Sequence, residues 1–142
     1  MRDFDDSLPL KLLKAREITM SYFRPVLQQV ALTEQQWRVI RALRQYPESE
    51  AKELAKRCAI LSPSLTGILS RLEQQELISR RKSTEDQRVV LISLTDKAQQ
   101  MFDEVAPLVD ERYRYLTKQL SSSDMKKLDQ LLDKILQLKP DQ

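Results

Sequence analysis

The stretch RRKSTEDQRVVLIS, Arg80–Ser93, sets three consecutive cations before a short polar segment and closes on a run of apolar residues. Residues 77–82 and 89–94 are rich in β-prone side chains, and the polar segment STEDQR separates them. This arrangement is typical of a β-hairpin whose loop is longer than a tight two-residue turn. The first strand of such a hairpin carries the cations Arg80, Arg81 and Lys82, and the region near its tip carries Asp86 and Arg88.

The residues before the hairpin predict two short helices joined by a tight turn. In ESEAKELAKRCAI, residues 48–60, Ser49 is the expected cap of the first helix. The inward-facing residues of this helix are then Leu54, Ala55 and Cys58. Two short helices at this spacing, followed by a hairpin, are the pattern of a winged helix-turn-helix.

The second short helix, in SPSLTGILSRLEQQE, is expected to have Ser62 as its cap and Pro63 as its first residue. Its apolar residues recur at i, i+3, i+4 and i+7 and predict the core stripe Leu65, Ile68, Leu69 and Leu72. The other side carries small hydroxyls, the one glycine of the chain and an arginine, at Ser64, Thr66, Gly67, Ser70 and Arg71. Glycine inside a helix costs about 1 kcal/mol relative to alanine. Close packing against another helix is one explanation of this face, and close approach of DNA is the one we favour.

Longer helices are predicted on both sides of this region. Residues 8–30 form an apolar helical pattern, in which Pro25 is expected to produce a kink by disturbing the carbonyl of Ser21. A Thr-x-x-Gln capping box at Thr33 predicts a helix over about 34–46. Thr95 and Asp96 begin a long helix to about 119 that Pro107 should interrupt, and a capped last helix follows. That last helix carries the wide apolar stripe Leu128, Leu131, Leu132, Ile135 and Leu138.

Composition limits the possible functions. The 142 residues include no histidine, one cysteine and one glycine, so the common zinc ligand sets, His-based catalysis, intrachain disulfides and glycine-rich phosphate loops are all disfavoured. We expect no cofactor, no metal site and no enzymatic activity. The chain has no long apolar run and no leader pattern, so a cytoplasmic protein without a membrane span is expected. The net charge is only +3, but residues 51–94 hold eight Lys or Arg against five Asp or Glu, as a module that faces a polyanion requires.

These residues resemble the MarR (multiple antibiotic resistance regulator) family over nearly the whole chain. The matching segments are LTEQQWRVIRAL and ELAKRCAILSPSLTGILSRLEQQELISRRKSTEDQRVVLISLT, and the most specific feature is Asp86-Gln87-Arg88 followed by Leu94-Thr95, which is similar to the wing signature of the family. Within the family, AREITMSYFRPVL and LTEQQWRVIRAL are most similar to repressors of homoprotocatechuate (4-hydroxyphenylacetate) catabolic operons. The chain departs from the family pattern at Glu76 and Ala98, where many members carry glycine. Glu76 is therefore expected to form its turn less easily.

The resemblance implies a mainly α-helical winged helix-turn-helix protein with one small β-hairpin, which forms a homodimer through intertwined helices. The implied segments are a dimerisation helix in 1–32, a DNA-binding lobe in 33–95 and further dimerisation helices in 96–142. The implied partner is double-stranded DNA with a pseudo-palindromic operator whose half-sites lie about 10 to 10.5 base pairs apart. The expected DNA contacts are Ser62, Ser64, Thr66, Gly67, Ser70, Arg71, Arg80, Lys82, Asp86 and Arg88, with Arg88 entering the minor groove and Asp86 orienting it.

The resemblance also implies a pocket for a small aromatic acid effector that releases the DNA. Arg16 is the expected partner of a carboxylate, Ser21 is expected to bond a phenol, and Trp37 is expected to stack on a ring. Core packing for Trp37 and a plain surface cation for Arg16 are the competing interpretations. Two further alternatives stay open at this stage: a redox-responsive regulator that acts through Cys58, and a helical scaffold that uses the winged fold for protein contacts.

Overall fold

The secondary structure of residues 1–140, which are the residues that the computed structural model describes, consists of seven α-helices, one short 3₁₀ helix and a two-stranded sheet. The elements are the 3₁₀ helix Phe4–Asp6, α1 (Leu8–Ser21), α2 (Arg24–Gln29), α3 (Glu34–Gln45), α4 (Ala51–Cys58), α5 (Ser62–Gln74), β1 (Ile78–Lys82), β2 (Val90–Leu94), α6 (Asp96–Gln119) and α7 (Ser122–Leu136). The mainly helical fold with one hairpin agrees with the sequence prediction. Residues 141 and 142, the last two of the predicted segment 96–142, lie outside the described residues.

The internal packing of the chain defines two compact units. Unit 1 contains Met1–Phe23 and Val109–Gln142, and unit 2 contains Arg24–Leu108. Unit 2 holds all the residues that are fully buried among residues 1–140, with side chains from α3, α4, α5 and the hairpin at its centre. The largest of these buried side chains belong to Ile40, Leu43, Leu54, Leu65, Leu69, Leu72, Leu77 and Ile92. Unit 2 is therefore the part of the chain that carries a closed apolar core.

The first predicted helix is two helices. α1 ends at Ser21, where the amides of Tyr22 and Phe23 donate to carbonyls three residues earlier at 3.2 and 3.0 Å and tighten the last turn. Pro25 lies in the first turn of α2, where no intrahelical amide donor is needed. The prediction of one kinked helix over 8–30 was wrong because Pro25 starts a helix instead of bending one. Between α1 and α2, the carbonyl of Tyr22 accepts a 2.6 Å hydrogen bond from Arg112 Nε.

α4 and α5 are the two short helices of the helix-turn-helix, α3 precedes them, and local signals determine the ends of all three. The capping box of α3 is present, because Thr33 Oγ1 accepts from the Gln36 amide at 3.1 Å and Gln36 Oε1 accepts from the Thr33 amide at 3.0 Å. Ala59 ends α4 in the left-handed conformation, with φ +52°, and the next helix begins three residues later. Two predicted caps were wrong: α4 is capped by Glu50 and α5 by Leu61, so Ser62 is the first residue of α5.

Ser49, the predicted cap of α4, instead extends the sheet. Its amide and carbonyl bond to Ile92 at 3.0 and 2.8 Å, and its hydroxyl donates to the carbonyl of Tyr46 at 2.7 Å. The hairpin itself is antiparallel, with Ile78 opposite Leu94 and Lys82 opposite Val90. Ile92 is buried, so the single bridge from Ser49 ties the hairpin into the core of unit 2.

α6 and α7 complete the chain. The start of α6 agrees with the prediction, because Thr95 Oγ1 accepts from the Ala98 amide at 3.2 Å. The predicted interruption at Pro107 was wrong: α6 continues through it to Gln119. A proline removes one backbone bond and crowds one carbonyl, which a 24-residue helix tolerates. α7 is capped as predicted, with the Ser121 hydroxyl accepting from the Asp124 amide at 3.0 Å.

Unit 1 exposes a large apolar surface. α1 and α7 bury no residue, and the exposed large apolar side chains of unit 1 include Leu8, Leu12, Leu13, Ile18, Leu128, Leu131, Leu132, Ile135, Leu136 and Leu138. Contiguous exposed apolar surface on this scale marks an interaction site in a folded protein. None of the helices in residues 1–140 is both long and apolar enough to cross a membrane.

Candidate nucleic-acid interface

The outward face of α5 is exposed and polar. Its predicted contact residues Ser62, Ser64, Thr66, Gly67, Ser70 and Arg71 all lie at the surface of unit 2, while Leu65, Leu69 and Leu72 fill the core. The hydroxyls of Thr66 and Ser70 each donate to the carbonyl four residues earlier, both at 3.1 Å. These bonds satisfy the hydroxyl protons locally and leave the oxygens able to accept from a ligand. The face is short and shallow, as an element that enters a DNA groove must be.

Gly67 has no packing role in the described chain. A Cβ placed on it would meet no atom within 4 Å. Close packing against another helix of the same chain is thus removed as an explanation of this glycine. Glycine lowers the stability of the helix, and here it does so at an open surface in the middle of the polar face. At such a position the backbone can approach another molecule closely.

The hairpin tip presents Arg88 to solvent. Its side chain is 91% exposed and its Nε and Nη2 atoms pair with the two carboxylate oxygens of Asp86 at 3.2 and 3.3 Å. The Asp86 carboxylate also accepts a 3.0 Å bond from the Arg88 amide. The bonds from the Arg88 side chain and then from its amide hold the pKa of Asp86 below its ordinary value. The predicted link between Asp86 and Arg88 is therefore present, and it shapes the turn as well as the side chain.

The cations of β1 have acidic partners in the same unit. Arg80 Nε lies 3.2 Å from a carboxylate oxygen of Glu73 in α5. Arg81 donates through Nε and Nη2 to Glu48 at 3.1 and 2.7 Å. Lys82 is exposed at the end of the strand. The sequence shows the run of cations but not these partners, because Glu48 and Glu73 lie in other parts of unit 2 than the strand that carries the arginines.

The three predicted effector residues have different surroundings. Arg16, in α1, lies 3.8 Å from Glu17 with 45% of its side chain exposed. The Ser21 hydroxyl, at the end of α1, donates to the carbonyl of Ile18 at 2.5 Å. Trp37, in unit 2, is buried and stacks on Phe102 with 5.3 Å between the ring centroids. Trp37 therefore contributes to the core of its unit, and the three residues are not shown to form one site.

Sequence reasoning missed the cluster around this tryptophan. Arg44 lies over the Phe102 ring at 4.6 Å, and its Nη atoms donate to Gln99 Oε1 and Asp103 Oδ1, both at 2.8 Å. The available signal was the spacing of three residues of α6. Phe102 and Asp103 follow Gln99 by three and four residues, so the three side chains share one face of the helix. The cluster fixes α3 against the first part of α6.

Cys58 is buried and lies within the core. Its Sγ donates to the carbonyl of Arg38 at 3.8 Å, and burial raises the pKa of the thiol, which the positive charge of Arg38 only partly offsets. A thiol with a raised pKa is a poor nucleophile at neutral pH. Cys58 thus has the environment of a small core residue. Within residues 1–140, no three His, Cys, Asp or Glu side chains come together as a metal site would need.

Comparison with known proteins gives concordant matches. The model of the family described as MarR matches residues 32–90. The chain is 44% identical over 133 residues to the homoprotocatechuate degradative operon repressor of Escherichia coli, covering 94% of this chain and 90% of that protein. It is similar to the crystal structure of NadR in complex with 4-hydroxyphenylacetate, at 38% identity, a TM-score of 0.81 and coverage of 98% and 99% of the two chains. It also resembles the transcriptional repressor CouR bound to a 23-mer DNA duplex, at 28% identity, a TM-score of 0.85 and 94% coverage of each chain.

Proposed function

The chain belongs to the MarR family of transcriptional regulators, and on that premise we propose that it is a dimeric, cytoplasmic repressor that binds a pseudo-palindromic operator. The observation that carries the proposal is the pair of exposed elements in unit 2. The polar face of α5 suits a major groove, and the arginine at the hairpin tip suits the narrower minor groove. A relative at 28% identity, CouR, is a repressor whose structure contains a DNA duplex.

The exposed apolar surface of α1 and α7 supports the homodimer. These helices carry leucine and isoleucine side chains that remain 36% to 81% exposed within the described chain. A second copy that supplies the same helices would bury this surface. Burial of apolar surface stabilises an assembly by about 25 cal/mol per Å². Two-fold symmetry then places two α5 helices about one DNA turn apart, and the operator inherits that symmetry.

The proposal is tested by selecting duplexes from a random library with the purified protein. We expect the retained sequences to share a two-fold motif with half-site centres about 10 to 10.5 base pairs apart. Retained sequences without symmetry would contradict the dimeric arrangement. Failure to retain any duplex at low salt would favour the scaffold alternative.

We further propose that an aromatic carboxylate releases the protein from its operator. The support is the 44% identity to a repressor of homoprotocatechuate degradation and the 38% identity to NadR, whose structure contains 4-hydroxyphenylacetate. An acid that binds the DNA-free conformation more tightly must weaken DNA binding by the same factor, by linkage. Arg16 is the proposed partner of the carboxylate, Ser21 that of a phenol, and Trp37 that of an aromatic ring.

The effector prediction is tested with 4-hydroxyphenylacetate and homoprotocatechuate. Either compound is expected to change the emission of Trp37, the one tryptophan of the chain, and to lower operator affinity. Arg16→Ala should weaken this response and leave binding to DNA alone intact, because the guanidinium contacts the acid and not the duplex. Lys14→Ala, which removes an exposed cation from the same helix, is the matched control and should respond as the wild type does. If neither compound changes operator affinity at millimolar concentration, the effector proposal is wrong while the DNA-binding proposal stands.

A further inference from the structure

Two neighbouring arginines on β1 are held in different ways. Arg80 and Arg81 occupy adjacent positions of an antiparallel strand, so their side chains start from opposite faces of the hairpin. Each lies beside one carboxylate, that of Glu73 for Arg80 and that of Glu48 for Arg81. Arg81 donates well-aligned hydrogen bonds to its carboxylate, whereas Arg80 makes an ion-pair contact, and this difference decides what else each arginine can bind.

Arg81 has its guanidinium fully engaged within the chain. Nε and Nη2 both donate to Glu48 Oε1, at 3.1 and 2.7 Å, and Nη1 donates to the carbonyl of Lys82 at 3.4 Å. Each of the three guanidinium nitrogens of Arg81 thus already donates to an acceptor within unit 2. Arg81 therefore fastens the hairpin to the turn after α3.

Arg80 makes an ion pair with its carboxylate. Its Nε lies 3.2 Å from Glu73 Oε2, and within residues 1–140 its guanidinium donates no well-aligned hydrogen bond. The Arg80 side chain is 34% exposed and that of Glu73 is 50% exposed, so the pair is accessible to a large ligand. A carboxylate beside Nε attracts the guanidinium by charge, and the N–H groups of the two Nη atoms can then donate two parallel bonds to a phosphate.

We propose that Glu73 is a positioning residue for DNA binding: it orients the Arg80 guanidinium so that its two Nη atoms meet a backbone phosphate. Glu73 stands in the last turn of α5, so it links the orientation of this cation to the helix that enters the groove. The inference rests on the proposed DNA-binding function and deepens it. It also separates Arg80 from Arg81, whose charge is used to hold the fold together.

A double-mutant cycle on the selected duplex tests the proposal, with affinity measured by fluorescence anisotropy over a series of salt concentrations. In the wild type, Arg80→Ala is expected to lower affinity about tenfold and to reduce the slope of log affinity against log salt by about one. In the Glu73→Ala background the same change is expected to cost less than about threefold, because the guanidinium is no longer oriented. Glu73→Gln keeps an acceptor oxygen, so Arg80→Ala should again cost about tenfold in that background.

Arg81→Ala is the matched control and is expected to leave the salt slope unchanged. Thermal unfolding of each variant shows that losses of affinity do not arise from unfolding. An equal cost of Arg80→Ala in the wild-type and Glu73→Ala backgrounds would overturn the positioning role, and so would an equal change of slope for Arg80→Ala and Arg81→Ala. Absence of salt-dependent binding by the wild type would instead overturn the proposed function, and this inference with it.

Discussion

Gly67 is the residue at which stability and DNA binding are expected to oppose each other. A Cβ at this position meets no atom within 4 Å, so Gly67→Ala should raise the free energy of unfolding by about 0.5 to 1 kcal/mol through helix propensity. The added methyl group lies on the proposed DNA-binding face, so operator affinity should fall. Urea denaturation and anisotropy measure the two quantities on the same variant. A rise in both would place the contact face elsewhere.

Glu76 adopts a backbone conformation that suits glycine better. Its φ is +60°, in the left-handed region, and its carbonyl accepts a 2.7 Å bond from the Thr95 hydroxyl. A side chain in that region costs about 1 to 2 kcal/mol, and glycine recovers part of this against its larger unfolded-state entropy. Glu76→Gly is therefore expected to raise the free energy of unfolding by about 0.5 to 1 kcal/mol in a denaturant titration.

The matched control for Glu76→Gly is the same replacement one residue earlier. Gln75 has a φ of −80°, which any residue adopts, so Gln75→Gly should give no gain in stability. Equal effects of the two replacements would show that the turn is not strained. The turn after α5 thus forms with a residue other than glycine in the left-handed region, and the hairpin follows it directly.

At the residue scale, sequence reasoning predicted which side chains of α5 and the hairpin tip lie at the surface, but not the partners of the β1 arginines within the chain. The exposure of the α5 face and the pairing of Asp86 with Arg88 follow from local spacing, which a single segment contains. Ser49 shows what local sequence cannot predict. Its sequence context is that of a helix cap, but in the fold its backbone pairs with Ile92 and extends the sheet instead. The acids that hold Arg80 and Arg81 were missed for the same reason.

At the scale of elements, the hairpin is the part most directly tied to the proposed function. Its loop is closed by a 2.9 Å bond from the Ser83 amide to the Val89 carbonyl and by the turn that Asp86 and Arg88 form. Arg88→Ala should therefore weaken operator binding by about 1 to 3 kcal/mol while the protein stays folded. Anisotropy with the selected duplex measures the change, and circular dichroism confirms the fold.

Gln87→Ala serves as the control for Arg88, since it alters the neighbouring exposed side chain without removing a charge. We expect it to change operator affinity by much less than Arg88→Ala. Wild-type affinity in a folded Arg88→Ala protein would remove the hairpin tip from the interface and leave α5 as the element that binds DNA.

Pro25 and Pro107 explain why the boundaries of helices were harder to predict than their existence. Pro25 stands in the first turn of α2 and Pro107 in the interior of α6, so the same residue type begins one helix and is tolerated within another. The sequence shows the proline but not its position within a helix, which depends on where the preceding helix ends. The capping box at Thr33, by contrast, contains both of its partners within four residues and was predicted correctly.

For the whole molecule, the two units differ in how much of their apolar surface they bury. Unit 2 buries its apolar side chains within itself, whereas α1 and α7 in unit 1 leave theirs exposed. The apolar stripe of α7 was visible in the sequence, and its exposure within the described chain supports a dimer. The division of the chain into segments 1–32, 33–95 and 96–142 stays a prediction about that dimer.

The most direct test of the central claim is a titration of the selected duplex with the wild-type protein at several salt concentrations, combined with the stoichiometry of the complex. We expect two chains per duplex and a log affinity that falls linearly with log salt, because phosphate contacts release counterions. From about 50 to 200 mM salt the affinity should fall by orders of magnitude if several phosphates are contacted. An affinity that does not change with salt concentration, or no binding at low salt, would contradict the claim that this chain is a DNA-binding regulator.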